Sequence, residues 1–256
     1  MSAIRGGGMQ VGETLRQLAL ARANDLLVKD VRIGLRYTGV MLENGSTGVA
    51  YNFSRRVTKG CSVLDSMLPL AGKKARELIT LIDTGHEIES SVAIAAANAL
   101  FNTPDRKYLD GDILRHLTLR PDDTVTVVGY FAPLVPAIRA NCSDIKIFDE
   151  VSRPGGEILP ADEAVKWLPK SQVALITATA IINGTIDSLL EASRACREVV
   201  VLGPSTPMAP EAFKGTPVTL LSGIVVHDGN EILRRISEGG GTRQFRACSK
   251  KVNLQL

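Results

Sequence analysis

Hydrophobic positions in this chain follow two regimes. Up to about residue 100 they recur at helical or strand spacings, and beyond residue 124 they bunch into short continuous runs that end in polar, Pro-rich or Gly-rich loops. In the first regime Val11, Leu15, Ala19, Ala23 and Leu26 are four and three residues apart, which predicts a helix over Val11–Leu27 with one apolar face. The run VRIGLRYTGVML, then Glu43-Asn44-Gly45-Ser46, then TGVAYNF predicts a hairpin, since Asn-Gly tolerates the positive φ of a tight reversal. Helices are expected near Gly72–Ile82 and Ser90–Phe101. The second, SSVAIAAANALF, is apolar on every side except at Ser90, Ser91 and Asn98. That pattern predicts a buried helix, with small residues that admit neighbouring backbone and Ser90 or Ser91 as its cap.

The stretch Asn102–Asp123 is rich in Pro, Asp, Gly and charge and marks a domain boundary. After it, strands are expected near Thr124–Tyr130, Ile145–Phe148, Gln172–Thr177, Glu198–Leu202 and Thr216–Val226. Helices between them are expected at Ala132–Asn141, Thr185–Cys196 and Asn230–Ser237. Continuous Val, Ile and Leu runs mean strands buried on both faces, hence a mostly parallel sheet.

Three of these runs stop in loops where a parallel sheet gathers its ligands, outside the carboxyl ends of the strands. The first, Gly129-Tyr130-Phe131-Ala132-Pro133, sits where a dinucleotide fold has its phosphate turn, and Asp149 and Glu150 end the next strand, at the place of a ribose-binding acid. It holds one glycine rather than the GxGxxG set, which argues against NAD. The second offers the hydroxyls of Thr177 and Thr179, the Asn183 amide, Gly184, and a helix start at Thr185 and Asp187 suited to an anion. The third, Gly203-Pro204-Ser205-Thr206-Pro207, stiffens two hydroxyls between prolines. Each has a plainer reading. Asp149 and Asn183-Gly184 suit turns, Thr185 and Ser205 suit helix caps, and Asn98 suits a satisfied core amide. Gly239-Gly240-Gly241-Thr242 suits a phosphate nest or a hinge.

Composition narrows the function. The 256 residues are 45% hydrophobic and 22% charged, as in ordinary globular proteins. A net charge of +3 and 4% aromatics supply neither the field nor the stacking platforms of a nucleic-acid binder. No apolar run approaches the ~18 residues of a membrane span, and MSAIRGGGMQ has glycines where a signal peptide needs an apolar core. The expectation is a mobile tail and a cytoplasmic protein. Cys61, Cys142, Cys196 and Cys248 are dispersed, as in reduced structural thiols. His86 begins HEIES, which lacks the second histidine of a zincin, and Ser205 lies outside any GxSxG elbow.

Taken together, VGYFAPLVP, TATAIINGT and GPSTP, in this order, resemble the Rossmann-like domain of the family known as "putative heavy-metal chelation". The front, with Gly48-Val49-Ala50-Tyr51 and the Ser91–Ala97 helix leading to Asn98-Ala99-Leu100, resembles that family's companion domain, related in fold to the N-terminal domain of enolase. The resemblance implies an α/β protein: a flexible tail (1–10), a small α+β enolase N-terminal-like domain (11–104), a Rossmann-like, mostly parallel three-layer α/β domain (105–243) and a C-terminal extension (244–256). It implies an interdomain cleft that binds or handles a heavy-metal ion of unknown identity, or a small anionic metal chelate. Ligand contacts would come from Gly129, Pro133, Asp149, Thr177, Thr179, Asn183, Gly184, Thr185, Gly203, Pro204, Ser205, Thr206 and Asn98, and metal contacts from Asp149 and Glu89. Helix N-termini after Pro133, Asn183 and Ser205 would hold the anion. Oxygen donors of this kind favour a hard ion or a metal brought by its chelator. The alternatives are an enzyme acting on a nucleotide-like or pterin-like molecule and a non-catalytic interaction module. No acid–base or nucleophile pair is evident, and a homo-oligomer is compatible with either domain.

Overall fold

The computed structural model describes residues 11–53, 64–150 and 157–256. The tail 1–10 and Cys61 lie outside the described residues. The front half begins with α1 (Val11–Ala23), which buries Val11, Leu15, Ala19 and Ala23 as their spacing predicts and ends before Asn24, whose φ is +46°. An antiparallel sheet follows in the order β1 (Val28–Ile33), β2 (Tyr37–Leu42), β3 (Thr47–Tyr51). The run VRIGLRYTGVML is thus two strands rather than one. Gly34 donates its N–H to Tyr37 O at 2.9 Å, closing a turn that the apolar pattern conceals. The Asn44-Gly45 reversal joins β2 to β3 as expected, with Gly45 at φ +86°. Two helices complete this half, α2 (Ala75–Ile79) and α3 (Glu87–Phe101).

The second half is an eight-stranded sheet. In chain order it comprises β4 (Leu109–Asp110), β5 (Thr124–Val128), α4 (Val135–Arg139), β6 (Asp144–Asp149), β7 (Ile158–Pro160), α5 (Ala164–Trp167), β8 (Val173–Thr177), α6 (Thr179–Ile182), α7 (Ile186–Ala192), β9 (Glu198–Leu202), β10 (Leu220–Val226), α8 (Gly229–Ser237), α9 (Thr242–Phe245) and β11 (Ser249–Gln255). In space the strands run β4-β11-β10-β9-β8-β5-β6-β7. The six from β7 to β10 are parallel, and β11 and β4 add an antiparallel edge. The residues expected as a C-terminal extension form β11, hydrogen-bonded to β10 along its length. The stretch expected as a boundary contributes β4, and Asn253 Nδ2 bonds Leu109 O and Gly111 O. Among the described residues no helix is long and apolar enough to cross a membrane.

The helix α3 joins the two halves. It starts at Glu87 with His86 at the cap, so Ser90 and Ser91 are not caps but interior residues. Ser91 instead donates its hydroxyl to Tyr51 O at 2.7 Å, tying the helix to the end of β3. Every residue from Ser90 to Phe101 is buried. The approach to β3 is close enough that a Cβ on Gly48 would lie 2.2 Å from Ala95 O. No side chain fits there. On the other face of the small sheet, Ile232 and Ile236 of α8 pack with Tyr37 and Val49. The small sheet is therefore held between α3 and a helix of the large domain.

Two amides lie four residues apart on one side of this helix, Asn98 in its last turn and Asn102 at its C-cap. Asn98 Nδ2 donates to Val49 O (2.9 Å) and Ser205 O (3.1 Å). Asn102 Nδ2 donates to Thr206 O (2.9 Å) and Ile224 O (3.1 Å), while its Oδ1 accepts from Met208 N (2.8 Å). At the opposite end of the large sheet, buried Asp123 takes both guanidinium arms of Arg197, at 3.0 and 2.7 Å. That bidentate pairing holds the Asp123 carboxyl below its ordinary range.

Replacing Asn102 by Ala removes three bonds and leaves Thr206 O, Ile224 O and Met208 N–H buried without that partner. The expected cost is about 3–5 kcal/mol in urea unfolding. A loss below about 1 kcal/mol would mean the amide is not what joins the halves.

Candidate functional site

Counted along the chain among themselves, the parallel strands β7-β6-β5-β8-β9-β10 lie in the order 3-2-1-4-5-6. The reversal falls between β5 and β8. Val135 and Ile138 of α4 pack into the cluster on one face of the sheet, and Ile186, Leu189 and Leu190 of α7 into the cluster on the other. Connections leave β5 and β8 for opposite faces, and the carboxyl ends at such a reversal are the usual ligand position in sheets of this kind.

Gly129 ends β5 with φ +93°, and a Cβ there would lie 2.8 Å from Thr177 Cβ on β8. Both constraints require glycine. Its N–H donates to Phe148 O at 2.7 Å, and the next N–H, of Tyr130, donates to Asp149 Oδ2 at 2.7 Å. Asp149 therefore orders the β5 loop from the end of β6. At β8 the hydroxyls of Thr177 and Thr179 are 3.0 Å apart. Farther along the same loop, Asn183 donates Nδ2 to Glu150 Oε1 (3.3 Å) and accepts the Thr185 hydroxyl on Oδ1 (2.7 Å). Gly184, at φ +73°, turns the chain between them, and Pro133 is exposed on the loop before α4. These contacts join the β5, β6 and β8 loops through one polar set.

The third loop has another role. Ser205 is 1% exposed and Thr206 0%. Ser205 Oγ accepts the Tyr51 N–H at 2.8 Å, and both carbonyls accept from the α3 amides. Asn98 is equally buried in the same seam. Gly203, at φ +121°, donates its N–H to Ser222 O, so it and half-buried Pro204 shape the loop's entry. Glu89 is half-buried in the first turn of α3, and among the described residues it makes no hydrogen bond or ion pair to the strand-end loops.

The helices expected to hold an anion are a further difference. The one after Pro133 has five residues, α6 has four and α7 seven, and the turn after Ser205 is a 3₁₀ turn at Pro210–Phe213. Such short helices carry little summed dipole. Glu150, expected with Asp149 as a strand-end acid, meets Asn183, whereas the Tyr130 N–H, one residue after Gly129, is a contributor that no sequence signal marks.

A heavy-metal centre does not fit the described residues. Among the described residues no group of three or more His, Cys, Asp or Glu is close enough to hold an ion. The three described thiols donate to backbone carbonyls at 3.4 Å: Cys142 to Asp144 O, Cys196 to Leu168 O and Cys248 to Phe245 O. Burial raises all three above the ordinary thiol range, Cys196 to about 11. A thiol must lose its proton to bind a soft metal.

Two family models match the chain, over residues 16–101 and 112–255, both described as "putative heavy-metal chelation". An uncharacterized protein of Methanocaldococcus jannaschii is 24% identical over 255 residues, 96% of this chain and 97% of that one. The fold is similar to two crystal structures of proteins of unknown function from the family that matches residues 112–255. One, from Pyrococcus horikoshii, has a TM-score of 0.82 at 22% identity, over 96% of this chain and 100% of that one. The other, from Desulfitobacterium hafniense, has a TM-score of 0.79 at 22% identity, over 95% and 99%.

With Cys61 replaced by Ser, the remaining thiols are expected to react with iodoacetamide at pH 7.5 at least ~10-fold more slowly than a free cysteine peptide. The rate should climb as pH rises toward the raised thiol values. Rapid alkylation at pH 7.5 would contradict the buried, protonated state.

Proposed function

The chain belongs to the family described as "putative heavy-metal chelation", and from that premise we propose that it binds a metal already held by a small anionic chelator, at the carboxyl ends of β5, β6 and β8. The observation that supports this reading is a mismatch of chemistry. The family description names heavy metals, yet the described residues bring no three protein ligands together, and the groups that converge at the switch point are hydroxyls, an amide and carboxylates. Soft ions select thiolates and imidazoles. Hydroxyls and amides recognise the oxygens of a ligand.

The donors available suit that task. Thr177 and Thr179 share one hydroxyl proton across their contact, which leaves the second for a ligand oxygen. Asn183 gives one Nδ2 hydrogen to Glu150 and has another to offer. Asp149, which orders the β5 loop through the Tyr130 N–H, would present its carboxylate to a ligand hydroxyl or to the carried ion. In this reading the protein orients the chelator, and the chelator supplies most of the metal's ligands.

A second reading, an enzyme acting on a nucleotide-like or pterin-like molecule, is favoured by one observation. The strand order reverses beside Gly129, with Asp149 ending the neighbouring strand where dinucleotide folds place a ribose-binding acid.

Calorimetric titration with nickel citrate, citrate and nickel chloride tests the first reading. Nickel citrate should bind, nickel chloride at least ~10-fold more weakly, and Thr179→Val and Asn183→Ala should each weaken the chelate by roughly 10-fold with unchanged melting temperature. Tight binding of the bare ion, untouched by both variants, would contradict it. Metal-free binding of ADP that is lost in Asp149→Ala would favour the second reading.

A further inference from the structure

We propose that the free edge of β1 is a self-association surface whose occupant is β1 of a second copy of this chain, the two strands running antiparallel about a two-fold axis at Val31. β1 is the outer strand of the three-stranded sheet. Its register with β2 determines which backbone groups face outward. Gly34 bonds Tyr37, and the same parity makes Arg32 with Gly39 and Asp30 with Met41 the bonded pairs. The N–H and C=O of Val31 and Ile33 therefore point away from β2. At Val28 the outer side is already used, by Lys73 O and Gly72 N at 2.8 Å each. Among the described residues no strand pairs with β1 from Val31 to Ile33 on that side.

The side chains along this edge are self-complementary. In an antiparallel pair centred on Val31, residue 30 of one strand stands opposite residue 32 of the other. Asp30 then faces Arg32 of the second copy, and Arg32 faces its Asp30. These are the non-bonded positions, where opposed Cβ atoms approach to about 4.5–5.5 Å. Within one chain Arg32 Nε already lies 2.9 Å from Asp30 Oδ1. Two such pairs brought together form a square of alternating charge. Centring the axis on Arg32 would oppose two guanidiniums, and centring it on Asp30 two carboxylates, so charge selects one register.

The opposite face of the strand agrees. Val31 meets Val31 of the second copy, with Ile33, 44% exposed in one chain, on the same face beside it. The groove between β1 and α8, lined by Asp30, Arg32, Arg234 and Glu238, would lose its open side to the incoming strand. Because both copies use the same patch, association stops at two.

Sedimentation velocity over roughly 1–200 μM tests this, since so short an interface binds weakly. The wild type should show a monomer–dimer equilibrium. Asp30→Arg alone and Arg32→Asp alone should each weaken it by at least about 10-fold through like-charge opposition. An equimolar mixture of the two variants should dimerise again, because each then presents the charges the other lacks. Val31→Pro removes an outward N–H and no bond to β2, so it should be monomeric while retaining the wild-type circular dichroism spectrum. A monomeric wild type, variants that associate as the wild type does, or a mixture that stays monomeric would overturn the proposal.

Discussion

Two buried amides on one face of α3 set the geometry of this molecule. A helix apolar on nearly every side gains by burial wherever it lies, so apolar contact alone would leave its rotation and register loosely determined. Asn98 and Asn102 remove that freedom. A buried amide that misses its partners costs about 1–3 kcal/mol per unsatisfied group. In the observed placement of α3 the two amides reach the carbonyls of Val49, Ser205, Thr206 and Ile224 and the Met208 N–H, with only Asn98 Oδ1 of their side-chain atoms left without a partner among the described residues. Once α3 is placed, β3 follows through its close approach at Gly48 and the Ser91 hydroxyl. The small sheet is then held against α8 on its other face. The two halves meet along this one hydrogen-bonded seam.

That constraint bears on the proposed ligand position. The Ser205–Thr206 loop, attractive in sequence for its two hydroxyls, is committed to the seam and buried there. The polar groups left near solvent lie at β5, β6 and β8, where the strand order reverses. Their chemistry is that of oxygen recognition, and the three described thiols lie elsewhere, their values raised by burial. A family description that speaks of heavy metals and a site made of hydroxyls, an amide and carboxylates are reconciled if the metal arrives inside a chelate.

Much of the architecture was legible in the sequence because it depends on local periodicity. The α1 face and the parallel strands each announce themselves in runs or spacings of single residues, and so does the Asn44-Gly45 turn. What was hidden depends on long-range partners. The turn at Gly34–Tyr37 lies inside a continuous apolar run, and its strand break is visible only once β1 and β2 pair. Ser90 and Ser91 have the chemistry of caps, yet the helix starts three residues before Ser90 because the pattern carries no signal for His86. Asn102 was placed in a boundary segment, although its spacing from Asn98 in an apolar helix was a usable sign that both face one polar seam. At the candidate site, strand-end logic points to Gly129, Asp149, Glu150, Thr177 and Asn183, all of which lie at the ends of β5, β6 and β8 or in the loops that follow. The part of the Tyr130 N–H was not legible, since it emerges only from its contact with Asp149 across two loops.

Amide hydrogen exchange with and without nickel citrate addresses the seam and the site in one measurement. The seam amides are internally bonded before any ligand arrives, so residues 203–208 should exchange slowly and be unchanged by the chelate. Residues 129–134 and 177–185 should be slowed by it. Ligand-dependent protection confined to 203–208, with no change at the β5 and β8 loops, would contradict the account, because it would place the binding surface in the seam that the α3 amides are argued to close.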